Sequence, residues 1–269
     1  MPILALPVLG FLFLAGAVAL LGFLIVNQIR FNLWCRAHGL PGLSLRALLA
    51  AHLREYIAVV RLLWWNLRAP LANPGKRPTG RAVLMVHGYT QNSSNFWRLK
   101  HAFAALHRPT RSVFLGIPWP WRRVGTYANA LERALDRSDP DGVDIVAHSM
   151  GGLVLREVLR RRPDLRERVH AVVTLGTPHH GTAAARWFTW MHPTSELSYR
   201  SEWVEALPTL AELLPGKPLT TVGGTADMIV YPVESTFQPG ARLVVLEGVG
   251  HAGLLVHPHA IRAVLEGVQ

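Results

Sequence analysis

The sequence lacks several features that would define a protein class. Its 269 residues contain one cysteine, Cys35, so no intramolecular disulfide framework can form and the fold must rest on its core. A single cysteine does not indicate the cellular compartment, because exported enzymes often lack disulfides too. His170, His179, His180 and His192 do not have the spacing of a recognised zinc site. The sequence therefore predicts neither a disulfide scaffold nor a metal centre, and it implies no cofactor.

Acidic residues are also scarce. Seventeen Asp and Glu stand against 28 Lys and Arg, most of them arginine, which gives a net charge of +11. Such a charge can indicate nucleic-acid binding, but no nucleic-acid motif and no dense basic cluster accompany it. Attraction to an anionic membrane surface explains the charge more simply. We therefore expect a membrane as a partner, and no nucleic acid.

Charged residues are missing altogether from the segment Ile3–Val26. As a helix it would span about 36 Å, enough to cross a hydrocarbon core of about 30 Å. A cleaved signal peptide is the alternative, but that normally begins with basic residues, and none precedes this run. Arg30, Arg36 and Arg46 follow it, and the positive-inside rule then places the rest of the chain in the cytoplasm. The sequence thus predicts a single-pass transmembrane anchor over 1–29, as in a bacterial inner membrane.

A second apolar stretch, Leu43–Ala69, has a different character. Arginines recur in it every seven or eight residues and would form one stripe on a helix, at Arg46, Arg54, Arg61 and Arg68. Such a helix suits the plane of a membrane interface; a helix packed on a soluble domain, with solvated arginines, is an equal alternative. The Pro- and Gly-rich run 70–80 then predicts a linker. We therefore divide the chain into the anchor, a juxtamembrane region over 30–80 and a globular domain over 81–269.

Within the globular domain, strand-like apolar runs alternate with helical patterns. The predicted strands are Ala82–Val86, Ser112–Ile117, Val143–Ala147, Ala171–Leu175, Leu219–Val222 and Leu243–Leu246. The predicted helices are Ser94–Leu106, Tyr127–Arg137, Gly152–Arg161 and Pro258–Glu266. This alternation predicts an α/β fold, with a mostly parallel sheet of about six strands and helices on both faces.

The most informative turn in the domain is centred on Ser149. The apolar run 143–147 breaks at the sequence HSMGG and continues as a helical pattern. This is typical of a strained strand-to-helix turn that holds a serine hydroxyl clear of the backbone. The residues two before and two after the serine must pass closely; Gly151 fits that need, while Ala147 adds one methyl group. An ordinary strand, turn and helix with an uninvolved serine is the alternative.

A serine hydroxyl becomes a nucleophile only when a base takes its proton and an acid orients that base. Asp227 follows the strand 219–222 through a Gly-Gly pair, and His251 follows the strand 243–246. Loops at the carboxyl ends of parallel strands converge, so both residues are expected to lie near Ser149.

Each of these two roles has rivals. Asp227 could instead cap a helix or stabilise a turn. Glu234 and Glu247 are rival acids, although Glu247 precedes the histidine too closely to be a natural partner. His257 and His259 flank a proline at a helix start and fit capping or surface positions better than the position of a base.

A tetrahedral intermediate at Ser149 would also need two backbone donors for its oxyanion. One is expected from the N–H of Met150, directly after the serine. The other is expected from Tyr89, because Gly88 lets the chain turn sharply after the first strand. A plain turn, with His87 as a packed histidine, is the alternative.

Together these motifs resemble a known family. His87-Gly88-Tyr89, the segment AHSMGG over 147–152, the segment LGTPHHG over 175–181, Asp227 and His251 are similar to bacterial lipases and esterases of the α/β-hydrolase fold. The small Bacillus-type lipases resemble the chain most, since they also carry alanine at the first elbow position. The resemblance covers 81–269 and implies Ser149 as nucleophile, Asp227 as acid, His251 as base, and Tyr89 and Met150 as oxyanion donors. Those relatives are usually exported, which conflicts with a cytoplasmic domain and leaves a periplasmic one open.

The remaining segment of interest is 182–215, which is rich in large apolar residues: Trp187, Phe188, Trp190, Met191 and Trp203. We expect a lid or pocket wall for an acyl chain, with helices packed on the core as the alternative. The sequence therefore predicts a lipase or esterase that cleaves acyl or lipid esters through an acyl-enzyme. An acyl thioesterase or acyltransferase with the same residues is the first alternative, and a non-catalytic membrane-bound binding protein is the second.

Overall fold

A computed structural model describes residues 5–39, 43–68, 81–117, 119, 121–138, 141–187 and 195–269. The strands are β1 (Ala82–Val86), β2 (Thr110–Val113), β3 (Val143–His148), β4 (Val169–Leu175), β5 (Leu219–Gly224) and β6 (Arg242–Leu246). The helices are α1 (Ala5–Ala37), α2 (Leu45–Arg68), α3 (Trp97–Ala105), α4 (Ala128–Asp136), α5 (Met150–Arg161), α6 (Glu202–Glu205), α7 (Leu210–Leu213) and α8 (Pro258–Gly267). The predicted linker over 70–80 lies outside the described residues.

The strands form one six-stranded sheet in the order β2-β1-β3-β4-β5-β6, and every neighbouring pair is parallel. The central strands are buried on both faces, which explains why they read in the sequence as continuous apolar runs. The chain turns from one side of β1 to the other between β2 and β3. The carboxyl ends of β1 and β3 therefore flank the switch point where open α/β sheets bind ligands.

Helices cover both faces of the sheet. On one face, side chains of α4 and α5 pack with alternate residues of β1 such as Leu84; on the other, α3 and α8 pack with the intervening residues such as Met85. The predicted parallel sheet with helices on both faces is therefore confirmed. The largest difference is β2, which was expected at 112–117 and lies at 110–113, because Phe114 and Ile117 are exposed beyond the end of the strand.

Helix α1 differs from the predicted anchor. It continues past the expected boundary at residue 29 as far as Ala37, and Leu24, Phe31 and Cys35 are buried against the domain. The rings of Phe31 and Tyr231 pack in a T-shaped arrangement, with 5.3 Å between their centres. Across the described residues, no helix has both the length and the hydropathy needed to cross a membrane. The predicted anchor is therefore not supported there; its first residues, and the side chains of most of it, lie outside the described part.

Helix α2 packs on the domain, in agreement with one of the two alternatives. Its buried face repeats at helical spacing and consists of Ala51, Glu55, Ala58 and Leu62. The arginines at 46, 54 and 61 are exposed, as expected for a solvated basic stripe. The described side chains of both N-terminal helices thus include ones that pack against the domain.

The described residues of the segment 182–215 pack in two places. Ala183 and Ala184 are buried with residues of α1, and Val204 and Leu207 are buried in the core with Trp203 against them. Residues 188–194, with Phe188, Trp190 and Met191, lie outside the described residues. The packed alternative therefore describes Trp203, Val204 and Leu207, and the lid stays a prediction.

Candidate active site

Ser149 lies between the last residue of β3 and the first residue of α5. Its backbone has φ 56° and ψ −133°, a strained conformation for a residue with a side chain. Such strain is maintained only where the surrounding structure fixes it, and it recurs where a nucleophile must be presented. The observed turn has the geometry expected from its sequence.

Two glycines make room for this turn. A Cβ atom on Gly88 would lie 2.6 Å from the Cβ and 3.0 Å from the Oγ of Ser149. A Cβ atom on Gly151 would lie 2.6 Å from the backbone oxygen of Val86. Gly151 therefore lets α5 approach the end of β1. The sequence had predicted a close approach to Ala147 instead.

Asp227 and His251 meet in the interior. Asp227 Oδ2 is 2.7 Å from His251 Nδ1, and both residues are buried. The other oxygen of Asp227 accepts the N–H groups of Ile229 at 2.9 Å and Val230 at 2.7 Å. The carboxylate is thus fixed by the turn after β5, so it stabilises that turn and orients the histidine at once.

The surroundings of His251 favour its protonated form. Burial acts to lower the pKa of the ring, but the charge of Asp227, its hydrogen bond and the charge of Glu55 outweigh burial and raise the pKa above 6.5. The ring of His148 packs against it with 4.6 Å between centres. Burial, and after it the charge of His251, lower the pKa of His148 well below 6.5, so His148 remains neutral. Because Nδ1 of His251 faces the carboxylate, Nε2 is the nitrogen left to act as a base.

Ser149 and His251 line the same cavity, whose volume is about 460 Å³. Among the described residues no hydrogen bond joins the two side chains; such contacts are often long before a substrate binds. The cavity size is typical of small-ligand sites. Its apolar wall consists of Phe23, Leu24, Val59, Leu62, Ala184, Ala185, Leu197, Ile229 and Val230.

Tyr89 and Met150 line the cavity beside Ser149. The N–H of Met150 belongs to the first turn of α5, where backbone donors have no acceptor within the helix. The preceding donor in the β1 loop, Gly88 N–H, is already bound to Gln91 Oε1 at 2.9 Å. Tyr89 carries the next amide along that loop.

The rival residues lie elsewhere. Glu234 and Glu247 are exposed, and Glu234 borders a separate surface groove. His257 caps α8 by accepting the N–H of His259 at 3.3 Å. Within the described residues, no group of three or more His, Cys, Asp or Glu side chains is arranged to hold a metal ion.

The site also contains two polar residues that the sequence did not predict. Gln91 accepts both the Gly88 N–H and a hydrogen bond of 2.8 Å from His148 Nδ1, so it ties the β1 loop to β3. Glu55 of α2 enters the cavity next to His251. A signal for Glu55 exists in the sequence: it is the only acidic residue before Glu132, and it interrupts an otherwise basic and apolar segment.

The chain is similar to curated thioesterases over part of its length. It is 26% identical over 147 residues to the lysosomal thioesterase PPT2 of Mus musculus and, to the same extent, to that of Rattus norvegicus. The match covers 51% of this chain and 47% of each relative. The chain thus spans about half the length of the curated relatives it matches.

Solved structures of lipases share the fold. The mature lipase BlEst2 of Bacillus licheniformis has a TM-score of 0.58 at 15% identity, covering 73% of this chain and 96% of that one. Lipase B of Aspergillus fumigatus has a TM-score of 0.54 at 17% identity, covering 67% of this chain and 50% of that one. An α/β-hydrolase enzyme from a lagoon-sediment metagenome, MGS-MChE2, has a TM-score of 0.51 at 20% identity, covering 72% of this chain and 95% of that one. At this identity the likeness shows the fold, which is that of the α/β-hydrolases.

A family model described as a domain of unknown function, DUF7379, matches residues 60–249. The match begins within α2 and ends two residues before His251, so it contains both Ser149 and Asp227. Since it covers more than half of the chain, this protein belongs to the DUF7379 family.

Proposed function

We propose that the protein is a serine hydrolase that cleaves carboxylic esters with an acyl chain. One observation carries the proposal: a strained serine and a buried histidine paired to a carboxylate line the same cavity, and the wall of that cavity is largely apolar. A polar reaction centre beside an apolar wall suits an ester whose acyl part is buried while its carbonyl reacts.

In the proposed reaction, His251 Nε2 takes the proton of Ser149 Oγ as that oxygen attacks the ester carbonyl. The backbone N–H groups of Tyr89 and Met150 stabilise the oxyanion. His251 then gives its proton to the departing alcohol, which leaves an acyl group on Ser149. A water molecule, deprotonated by His251, attacks this acyl-enzyme and releases the acid. Asp227 holds the imidazole in one tautomer and stabilises its protonated form throughout.

The test is hydrolysis of esters of increasing acyl length by the wild type and by Ser149→Ala. We expect the wild type to turn over esters and the variant to lose at least about 10³-fold in kcat. A fluorophosphonate should label the wild type at Ser149, and the exposed Ser44→Ala variant should be labelled equally. Equal turnover by the wild type and Ser149→Ala would refute the mechanism and favour a binding protein.

A thioester substrate is the second candidate. It is favoured by the similarity to the rodent enzymes named as lysosomal thioesterases. The same acyl-enzyme would form, with a thiol as the leaving group. A matched ester and thioester with one acyl chain separates the two, because the preferred leaving group gives the larger kcat/KM. An added alcohol that captures the acyl group in place of water would instead indicate an acyltransferase.

We propose further that the protein works against a membrane, with residues 3–26 as its anchor and the domain in the cytoplasm. Support comes from the outward faces of α1 and α2, which expose many large apolar side chains, and from the net charge of +11. Those exposed side chains include Leu21, Ile29, Leu33, Leu45, Leu49, Leu53 and Trp64.

Membrane attachment and topology need separate measurements. Retention in the membrane fraction after alkaline carbonate washing is expected for an anchored chain; release would refute the anchor. A reporter at Gln269 that is active only in the periplasm should remain silent. Its activity would overturn the cytoplasmic placement.

A further inference from the structure

Glu55 is a buried carboxylate whose partners lie in the loop that carries His251. Its side chain comes from α2, and only 3% of the residue is exposed. Oε1 accepts the N–H of Ala252 at 2.6 Å, and Oε2 accepts the N–H of Gly253 at 3.0 Å. These are the two residues directly after His251. Both oxygens of one carboxylate therefore hold the backbone on the carboxyl side of the histidine.

The same helix also holds the other end of this loop. The guanidinium of Arg54 donates to the backbone oxygen of Gly248 at 3.0 Å. Between these contacts, Gly250 leaves room for the carboxylate: a Cβ atom there would collide with Glu55 Oε2 and lie 2.7 Å from its Cδ. Arg54 and Glu55, two consecutive residues of α2, thus both form hydrogen bonds with the loop 248–253. Gly250 of that loop packs directly against the carboxylate of Glu55.

Charged side chains from two loops act on Glu55. Asp227 and His251 face it from the loops after β5 and β6, and Arg54 is its neighbour on α2. Burial raises the pKa of Glu55 to about 7; Asp227 acts in the same direction, whereas the two backbone N–H groups and His251 oppose it. In return, the charge of Glu55 raises the pKa of His251. The charges of the two side chains therefore stabilise each other.

We propose that Glu55 is a positioning residue for His251. It fixes the histidine loop through the amides of Ala252 and Gly253, and its negative charge favours the imidazolium that forms when Ser149 loses its proton. This inference rests on the proposed hydrolytic function, and it makes α2 a functional part of the active site.

The test compares Glu55→Gln with the wild type in two measurements. The first is the titration of the His251 ring followed by NMR, with its signal assigned by its loss in His251→Ala. The second is the pH dependence of kcat/KM for ester hydrolysis. Glu247→Gln is the matched control, because it removes the same charge from an exposed position four residues before the histidine.

In Glu55→Gln the titration of His251 and the acid limb of kcat/KM should both move to lower pH, because the charge that raises the pKa of His251 is gone. The value of kcat/KM at the optimal pH should fall about 10²-fold, because glutamine has only one oxygen to accept the N–H groups of Ala252 and Gly253. Glu247→Gln should change neither. A residue that serves only the fold would leave the titration of His251 unmoved.

Glu55→Asp provides a second comparison. It keeps the charge but is one methylene shorter, so the acid limb should stay near that of the wild type while kcat falls. An unchanged titration of His251 in a folded Glu55→Gln would overturn the proposal, and so would failure of both variants to fold. If the wild type hydrolyses no ester, the proposed function fails, and the NMR titration still decides whether Glu55 acts on His251.

Discussion

Replacement of Glu55 by glutamine should change how the stability of the folded protein depends on pH. The carboxyl group has a pKa of 4.5 when solvated and of about 7 in the folded protein, because burial disfavours its charge. Between these values the folded state binds a proton that the unfolded state has already lost. The contribution of this group to the free energy of unfolding is therefore fully present below pH 4.5 and is lost as the pH rises through 7.

The size of the effect follows from the change in pKa. One pKa unit corresponds to about 1.4 kcal/mol, so the rise from 4.5 to about 7 amounts to a loss of about 3 kcal/mol on going from acidic to alkaline pH. Glutamine has no proton to lose. The free energy of unfolding of Glu55→Gln, minus that of the wild type, should therefore increase by about 3 kcal/mol over the same interval.

Denaturant unfolding at a series of pH values from 4 to 8 measures this difference. His251 is present in both proteins, and the NMR titration of its ring in Glu55→Gln gives the change in its own contribution, which is subtracted from the difference. Glu247→Gln, which removes an exposed carboxylate, should give a difference that is flat within error. A flat difference for Glu55→Gln would refute the reasoning, because it would mean that the buried carboxyl has the same pKa in the folded and unfolded states.

Three further substitutions test other parts of the structure. Asp227→Asn should lower kcat for ester hydrolysis by about 10⁴-fold without unfolding the protein, since its remaining oxygen can still accept the turn amides; steady-state kinetics and circular dichroism measure this. Val59→Phe places a larger side chain in the cavity wall, so kcat/KM across a series of esters should shift towards shorter acyl chains. Phe31→Ala removes the ring that packs on Tyr231 and should lower the free energy of unfolding by about 3 kcal/mol in denaturant titrations.

Each of these substitutions has a matched control in the chain. Glu234→Gln changes an exposed acid and should retain full kcat. Val60→Phe makes the same replacement one residue along α2, at an exposed position, and should keep the wild-type chain-length preference. Leu33→Ala truncates an exposed residue of α1 and should leave stability nearly unchanged. A control that behaves like its test variant would contradict the contact assigned to that side chain.

The sheet could be predicted because parallel strands carry their signal locally. A strand buried on both faces is a short apolar run, and β1 and β3 were found at nearly their observed bounds for that reason. The edge strand β2 was misplaced because the same signal misleads there. Phe114 and Ile117 are apolar, yet they are 58% and 70% exposed beyond the strand. Hydrophobicity identifies a buried strand, whereas the position of an edge strand depends on pairing with its neighbour.

The serine turn and the Asp227–His251 pair could be predicted from the sequence because glycines mark the turns and motif order indicated which residues would meet. The contact that requires a glycine at position 151 could not be predicted from the sequence. Its close approach is to the end of β1, more than sixty residues earlier in the chain, and only the pairing of β1 with β3 brings the two together.

The packing of α2 could not be predicted for the same physical reason. Arginine spacing indicated one stripe of the helix, but the buried stripe of Ala51, Glu55, Ala58 and Leu62 repeats at helical spacing just as well. Choosing between them requires the partner surface, and Glu55 meets Ala252 across 197 residues of sequence. A carboxylate in an apolar, basic segment is unfavourable unless something pairs with it. A lone acid in such a segment is therefore itself a reason to look for its partner, and here that partner is the loop of the proposed catalytic base.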